Sequence, residues 1–412
     1  MLTVPARWYR DPLCLARLLI IGNLLFLLFS PPVTNIAEGF LYLLVILSAR
    51  VRRLVFAAVR QPMVAACLLF AACLIVATTY GPAPRAEAIS MLTGWRRMLL
   101  LPIAVGLFNE TAWKTRTLWI LISVLDLAAL VSYGLLATHL QISHLGPAIS
   151  IRNYVTQGMV FSVGVFSAAM MLKQPNNLSS AQKRFLFFSI LLLASNALGV
   201  MSGRSAYMVM AVCGVAYALS FVHRQQRLGV KHIAAVLLPI AVVCVAVFTF
   251  PVARDRIEMG LHEAEHYQTA DNLTSVGIRI IFLKNTLQMV RVHPILGVGT
   301  GGFRAAYARQ ISGATGWEAT ETTDPHNQFL KILAEQGIFG LAIFLGFICS
   351  AFWQRASEPF RILGLGVLCA WCTTSLFNSH FSTFSEGRFI FLWCGIMLAA
   401  ASNGSLPRPG SQ

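Results

Sequence analysis

Charged side chains are scarce in this sequence. Asp, Glu, Lys and Arg make up only 12% of its 412 residues, whereas 57% are hydrophobic. A soluble protein of this length would need a much larger charged fraction to cover its surface. The scarcity therefore excludes a soluble globular protein and predicts a polytopic membrane protein.

Cysteine is missing from the one long polar stretch, 251–326. Eight of the nine cysteines lie in apolar runs and Cys14 lies at the edge of the first run, so no disulfide framework is predicted. The spacings of an EF-hand, an HExxH motif and paired zinc ligands are also missing, and we expect neither a metal nor a cofactor. No small-residue cleavage site follows the first apolar run, which we interpret as a retained span rather than a signal peptide.

Apolar runs recur along the chain and predict an all-α fold of about twelve transmembrane helices. The predicted spans are 14–30, 33–49, 62–79, 95–109, 118–137, 154–172, 185–201, 205–222, 233–250, 327–353, 362–378 and 388–403. The chain then divides into three parts: nine spans in 1–250, an outer loop or lobe in 251–326, and three spans with a cytoplasmic tail in 327–412.

The net charge of +16 is distributed asymmetrically. With the N-terminus taken as cytoplasmic, 18 Lys and Arg residues lie in the cytoplasmic segments and 6 in the short outer segments. This is the positive-inside pattern, so the charge orients the chain and contacts lipid headgroups rather than nucleic acid. It predicts that both termini are cytoplasmic and that 251–326 lies outside the cytoplasm.

Polar and ionisable groups gather between Val276 and Leu341, where two helix-like pieces bracket a glycine-rich turn and a polar loop. In the second helix Asp324 is the expected N-cap and Pro325 the first helical residue. His326 would then lie in the first turn, where free N–H groups and the helix dipole favour a neutral imidazole. His326 is therefore a candidate proton acceptor; the alternative is a histidine that only makes structural hydrogen bonds.

The glycine-rich turn, 297–302, matches the pattern GxGxxG. It follows a helix rather than a strand, and no acid lies about 20 residues further on, so a dinucleotide site is excluded. We expect these glycines to form a tight turn close to the bilayer. Gly337 and Gly340 are expected to permit a bend or close packing where the second helix enters the membrane.

Several arginines lie at the predicted outer face without an equal set of acids. Arg204 lies in a short hairpin between two spans, and Arg279 lies on the buried side of the first helix of the polar region. Arg152 precedes another span, and Arg388 lies with Glu386 in the loop before the last span. Guanidinium groups bind phosphate oxygens bidentately, so these arginines predict an anionic partner. The alternative for Arg204 is an anchor at the lipid headgroups.

The motif HPILGVGTGGF, followed across a polar loop by PHNQFLKILAEQGIFG, resembles the shared domain of the O-antigen ligase and O-antigen polymerase superfamily. In that family an outer loop carries a helix with an Arg, an HPxxGxGxGxF-like turn, and a second helix that opens with His-Asn. The resemblance implies a C-type glycosyltransferase architecture with a helical periplasmic lobe. It also implies a location in the inner membrane of a Gram-negative bacterium, with the active site facing the periplasm.

The resemblance further implies a reaction. An undecaprenyl-pyrophosphate-linked glycan would be the donor and lipid A–core oligosaccharide the acceptor, in a metal-independent, inverting transfer with His326 as the base. The residues implied for the donor pyrophosphate are Arg204, Arg279, Arg152 and Arg388. Arg204 and Arg279 would also act in catalysis, while Asn327, Glu386 and Trp317 would bind the acceptor or support the site. The oligomeric state is left open.

Three other functions remain open from the sequence. An O-antigen polymerase would use the same donor but a second lipid-linked glycan as acceptor, and a protein O-oligosaccharyltransferase would use a Ser or Thr hydroxyl. A non-enzymatic transporter of the lipid-linked glycan would need charges at several mid-span positions. Only Asp126 is of that kind, and it is expected to be protonated or hydrogen-bonded inside the bundle, which counts against the transporter.

Overall fold

The computed structural model describes residues 11–142, 146–174, 178–201, 203–222, 229–249, 251–265 and 274–400. Within these ranges the chain forms α-helices and short 3₁₀ segments, without a β-strand. The helices are α1 Pro12–Phe29, α2 Pro31–Leu47, α3 Ala49–Ala58, α4 Pro62–Val76, α5 Arg85–Trp95, α6 Leu100–Leu107, α7 Thr111–Thr138, α8 Tyr154–Lys173, α9 Ser180–Gly199, α10 Arg204–Val222, α11 Val230–Thr249, α12 Pro251–Glu265, α13 Ser275–Val292, α14 Phe303–Gln310, α15 Gln328–Ser350, α16 Phe360–Thr374 and α17 Phe384–Leu398.

The prediction of an all-α polytopic membrane protein is confirmed. Among the described residues, six helices are long and apolar enough to cross a membrane, or up to seven if α3 and α4, bent by 92°, form one broken span. The expected number of about twelve is not confirmed, because apolar helices such as α2 and α16 have fewer than 18 residues. The predicted cytoplasmic tail beyond residue 400 lies outside the described residues.

The apolar faces of the helices pack into one bundle. α8 packs on α9 and α10, α10 also packs on α11 and α16, and α15 packs on α4. α17 contacts α1, α6 and α16, and its Phe389 ring stacks between Trp371 and Trp393, with ring centroids 5.2 and 5.6 Å away. These aromatic contacts fix the last two helices against each other, just below the loop 375–383 that reaches the site.

Two carboxylates inside the bundle have partners. Asp126 accepts a hydrogen bond of 2.5 Å from the Ser189 hydroxyl, in agreement with the expectation for this mid-span acid. Glu38 on α2 accepts a hydrogen bond of 2.8 Å from Nε of Arg388 on α17. Both members of the second pair are almost fully buried, so the ion pair ties the last helix to the second.

The glycine-rich turn docks onto a break in α15. Gly337 has φ 64° and ψ −167°, which interrupts the helix and leaves the carbonyls of the preceding turn without helical partners. Val298 N–H donates to the Ala334 carbonyl at 2.9 Å, and Gly299 N–H donates to the Glu335 carbonyl at 2.8 Å. The predicted tight turn and bend are therefore confirmed, and they hold each other in place.

The docking requires glycine on both sides. A Cβ at Gly297 would lie 2.5 Å from the carbonyl of Glu335, and one at Gly299 would lie 2.0 Å from the carbonyl oxygen of Tyr80. A Cβ at Gly337 would lie 2.1 Å from the carbonyl oxygen of Ile295. Since all three glycines also have positive φ, the turn fixes where α13 ends relative to α15.

Candidate active site

His326 lies just before α15 rather than inside its first turn. The helix begins at Gln328, and Asn327 is its N-cap, with Oδ1 accepting from Leu330 N–H at 3.0 Å. His326 has φ 54°, in the left-handed region, so the helix cannot begin at Pro325 as predicted. The predicted placement of Asp324 as N-cap is therefore wrong, and the N-cap of α15 lies one residue beyond the histidine.

Asp324 instead holds the backbone that carries the histidine. Its Oδ1 accepts from His326 N–H at 2.8 Å and from the Ser379 hydroxyl at 2.7 Å, while Oδ2 accepts from Lys331 Nζ at 2.8 Å. Burial raises the pKa of this carboxyl, but the ammonium charge of Lys331 and the three hydrogen bonds outweigh burial, so its pKa is lowered from the ordinary value. Asp324 is thus an ionised anchor between α15 and the loop 375–383.

The imidazole of His326 stacks on Phe282 of α13. The ring centroids are 6.0 Å apart and the planes differ by 15°. Tyr307 of α14 meets the same Phe282 ring edge-on at 6.0 Å. His326 Nδ1 is buried and has no hydrogen-bond partner in the described part of the chain. Its ring is thus positioned by stacking on an aromatic side chain, and Nδ1 is left unbonded.

The stacking brings His326 close to Arg279. Phe282 and Arg279 are three residues apart on α13, so they are neighbours on one face of the helix. The pKa of Arg279 is lowered because burial disfavours its charged form and because the positive charge of Arg204 lies nearby. The carboxylate of Glu263 opposes both effects. Two guanidinium groups and one imidazole from α10, α13 and the start of α15 therefore converge.

Arg204 reaches this position by packing against α12. A Cβ at Gly260 would lie 2.6–2.9 Å from three atoms of the Arg204 guanidinium, so the group fits only because residue 260 lacks a side chain. On the α8 side, a Cβ at Gly203 would lie 3.4 Å from the Tyr154 ring. Arg204, the first residue of α10, thus lies against Gly260 in the second half of α12, and the preceding Gly203 packs on the start of α8.

The other two predicted arginines lie elsewhere. The Arg152 guanidinium carbon is 5.6 Å from the centroid of the Phe384 ring, and the Arg388 guanidinium carbon is 4.0 Å from it. Arg388 is only 2% exposed, and besides its bond to Glu38 it donates to Asn35 Oδ1 at 3.2 Å. The structure therefore brings Arg152 and Arg388 together at the start of α17.

The three residues predicted to support the site are also separated from one another. Asn327 uses its side chain as the α15 N-cap and donates from Nδ2 to the Leu376 carbonyl at 3.0 Å. Glu386 is buried and accepts a hydrogen bond from the Thr156 hydroxyl. Trp317 is 43% exposed on the 3₁₀ segment Gly316–Ala319. Their predicted roles stay predictions.

Part of this region matches a known family. The O-antigen ligase family model matches residues 188–345, so this segment of the chain is similar to that family. No curated protein matches the chain. The matched segment of the O-antigen ligase family contains Arg204, Arg279 and His326, whereas Arg152 and Arg388 lie outside it.

A second histidine near the site was not anticipated. His380 is 1% exposed, and neither ring nitrogen has a hydrogen-bond partner in the described part of the chain. Burial lowers the pKa of His380, and the carboxylates of Glu386 and Asp324 oppose that shift. No local pattern marks it, because its surroundings come from α15 and α17 and from the loop that joins α16 to α17.

The ion pair between Asp324 and Lys331 was not predicted either. The i,i+4 spacing on the helix favours a pair between Lys331 and Glu335, whereas in the structure Lys331 pairs with Asp324, seven residues earlier. Among the described residues no group of three or more His, Cys, Asp or Glu side chains could hold a metal ion.

Proposed function

We propose that this protein is an O-antigen ligase, which transfers a glycan from undecaprenyl pyrophosphate to lipid A–core oligosaccharide. The proposal includes placement in the inner membrane, with both termini cytoplasmic and the site facing the periplasm. The observation that carries it is the convergence of Arg204, Arg279 and His326. The family match over residues 188–345 supports lipid-linked glycans as the general class of substrate.

The two arginines hold the donor in this proposal. Two guanidinium groups that lie close together repel each other, and an anion between them relieves that repulsion. A pyrophosphate offers several oxygens to the two planar forks, and its charge grows when the glycan departs. The arginines therefore bind the leaving group more strongly in the transition state than in the donor.

His326 is the base in the same proposal. An imidazole nitrogen takes the proton from an acceptor hydroxyl, and the hydroxyl oxygen forms a bond to the anomeric carbon of the donor. The bond between that carbon and the pyrophosphate oxygen breaks, and its electron pair stays on the pyrophosphate. A single displacement of this kind inverts the anomeric configuration and needs no metal.

Purified protein in EDTA, supplied with polyprenyl-pyrophosphate glycan and lipid A–core, tests the reaction. The decisive variant is His326→Asn, because Asn tolerates the left-handed backbone of this residue but cannot act as a base. The matched control is His139→Asn, since His139 also has a positive φ, 56°, but lies outside the catalytic cluster. We expect transfer by the wild type and by the control, and a loss of about 100-fold or more in His326→Asn.

The molecule that receives the glycan distinguishes the candidate functions. Longer lipid-linked chains without glycosylated lipid A–core would identify a polymerase, and transfer to a Ser or Thr peptide would identify a protein O-oligosaccharyltransferase. Full activity of His326→Asn would remove the histidine from the mechanism. Loss of transfer in EDTA, restored by a divalent cation, would contradict the metal-independent step.

A further inference from the structure

A cavity lies beside the candidate active site, between α5, α14 and the first half of α15. Its volume is about 340 Å³, within the range of about 300–1,000 Å³ that is usual for small-molecule sites. It is lined by Glu87 and Trp95 of α5, Phe303 and Arg304 of α14, and Glu335 of α15. The proposed mechanism uses none of these five side chains.

The carboxylate of Glu335 lines this cavity without a full set of partners. The residue is only 2% exposed, and its Oε1 is buried without a hydrogen-bond partner in the described part of the chain. Gln336 donates one long bond, 3.4 Å, to Oε2, and the Phe303 backbone N–H also donates to the carboxylate. The nearest cation on the helix, Lys331, is bound to Asp324. A buried acceptor left open in this way is costly, so the cavity calls for a ligand that donates hydrogen bonds.

The remaining walls restrict the chemical class of that ligand. Trp95 and Phe303 are buried aromatic side chains and form the apolar part of the lining. Arg304 and Glu87 are more exposed and approach each other to 3.8 Å. Arg97 and Arg304 balance the charges of Glu87 and Glu335 in the lining. A neutral ring with hydroxyl groups and an apolar C–H face matches both kinds of wall. A sugar residue has this chemistry.

The cavity is directly connected to the catalytic loop. Thr323, the residue before Asp324, lines it, and Glu335 lies one turn after Lys331, the partner of Asp324. Phe303 stacks on Tyr307, and Tyr307 packs against the Phe282 ring, on which His326 stacks. A sugar in the cavity therefore lies next to the elements that position the base.

We propose that this cavity binds a sugar residue of the acceptor, with a sugar hydroxyl donating a hydrogen bond to Oε1 of Glu335. The inference rests on the proposed transfer reaction and adds to it the place and the chemistry of acceptor recognition. It assigns the acceptor to the α5–α14–α15 cavity and leaves the arginine pair to the donor.

Binding of a delipidated core oligosaccharide to the full-length protein, measured by titration calorimetry without donor, tests the cavity directly. Glu335→Gln keeps the size of the side chain but replaces the hydrogen-bonding carboxyl group with an amide. We expect the affinity for the oligosaccharide to fall about tenfold. Ser90→Trp places a large side chain on an exposed residue of the cavity lining and should abolish binding without disturbing the core. Thr93→Trp, on an exposed position of the same helix outside the lining, is the matched control and should bind as the wild type does.

Transfer kinetics separate this inference from the proposed function. We expect Glu335→Gln to raise the KM for lipid A–core and to leave the KM for the lipid-linked donor unchanged. Transfer with an unchanged acceptor KM in both Glu335→Gln and Ser90→Trp would overturn the sugar site while the ligase proposal stands. Sugar binding that is lost in Ser90→Trp, in a protein that transfers no glycan, would support the cavity and overturn the ligase proposal.

Discussion

The Arg204 guanidinium lies against the backbone of Gly260, so closely that any β-carbon at residue 260 would come within 2.6–2.9 Å of three of its atoms. The two residues belong to different helices, α10 and α12. The missing side chain at residue 260 therefore provides the space in which Arg204 can lie close to Arg279.

Gly260→Ala should weaken the use of the lipid-linked donor by displacing Arg204. The new methyl group must displace the guanidinium, and we expect the kcat/KM for the lipid-linked donor to fall about tenfold, as for the loss of one charge-assisted hydrogen bond. Thermal unfolding should change little, because Ala favours a helix. Gly134→Ala is the control, since a Cβ there meets no atom within 4 Å. Equal donor kinetics in the two variants would show that the packing at residue 260 does not serve the donor.

Arg279→Lys should weaken donor binding although the charge is retained. Lys cannot offer the bidentate fork that a pyrophosphate accepts, and we expect an increase in donor KM of about 10- to 100-fold. Arg254→Lys on the neighbouring α12 is the control, because Arg254 is exposed and faces Asp255 and Glu258. Donor binding to detergent-solubilised protein is the measurement, and an unaffected Arg279→Lys would exclude a bidentate contact.

Asp324→Asn should lower stability most at neutral pH. Because the pKa of Asp324 is lowered in the folded chain, its ionised form contributes stability that is fully present above the unfolded pKa of about 3.9. That contribution is lost as pH falls through the folded pKa. We expect a loss of about 1.5–3 kcal/mol at pH 7 from its bonds to Lys331, Ser379 and the His326 backbone.

The pH series provides the check on Asp324. Thermal unfolding of wild type and Asp324→Asn should be compared between pH 7 and about pH 3, and their difference should shrink as the pH falls. Asp255→Asn, at an exposed position of α12, should show no such convergence. A difference that stays constant over this range would mean that the charge of Asp324 contributes nothing to stability.

Local patterns predicted those features whose cause is local. The glycine-rich turn and the bend in α15 were predictable because glycines at 297, 299 and 337 mark backbone that needs positive φ. The spacing of apolar residues on α13 predicted a buried Arg279, and in the structure this residue is half-buried. The predicted start of α15 failed because Asp324-Pro325 and Asn327 both offer capping signals within three residues. Only the contacts of Asp324 with Lys331 and Ser379 decide between them.

The features that could not be predicted from the sequence depend on contacts between residues that are distant along the chain. Glu38 and Arg388 are 350 residues apart, and nothing near either residue identifies the other as its partner. His380 and the α5–α14–α15 cavity likewise depend on helices that are distant in sequence. The predicted number of about twelve spans is not confirmed, because hydropathy does not register helix ends and a short apolar helix such as α16 resembles a full crossing.

Gly337→Ala should destabilise the protein strongly. An alanine there must adopt φ 64°, which costs about 1–2 kcal/mol, and its methyl group would lie 2.1 Å from the Ile295 carbonyl oxygen. Gly346→Ala on the same helix meets no atom within 4 Å and should be neutral or slightly stabilising. Thermal unfolding in detergent measures both changes. Similar midpoints for the two variants would contradict the docking of the glycine-rich turn onto the break in α15.

Arg388→Met should show whether this arginine serves the fold or the donor. Removing it leaves the buried Glu38 without its closest cationic partner, and such a loss costs about 3–5 kcal/mol. We expect the lower end of that range, because Arg96 also pairs with Glu38 at 3.1 Å. The double variant Glu38→Gln/Arg388→Met removes the uncompensated charge and should recover most of the stability. If both variants instead weaken donor binding equally, whatever their stability, Arg388 belongs to the donor site, as the sequence predicts.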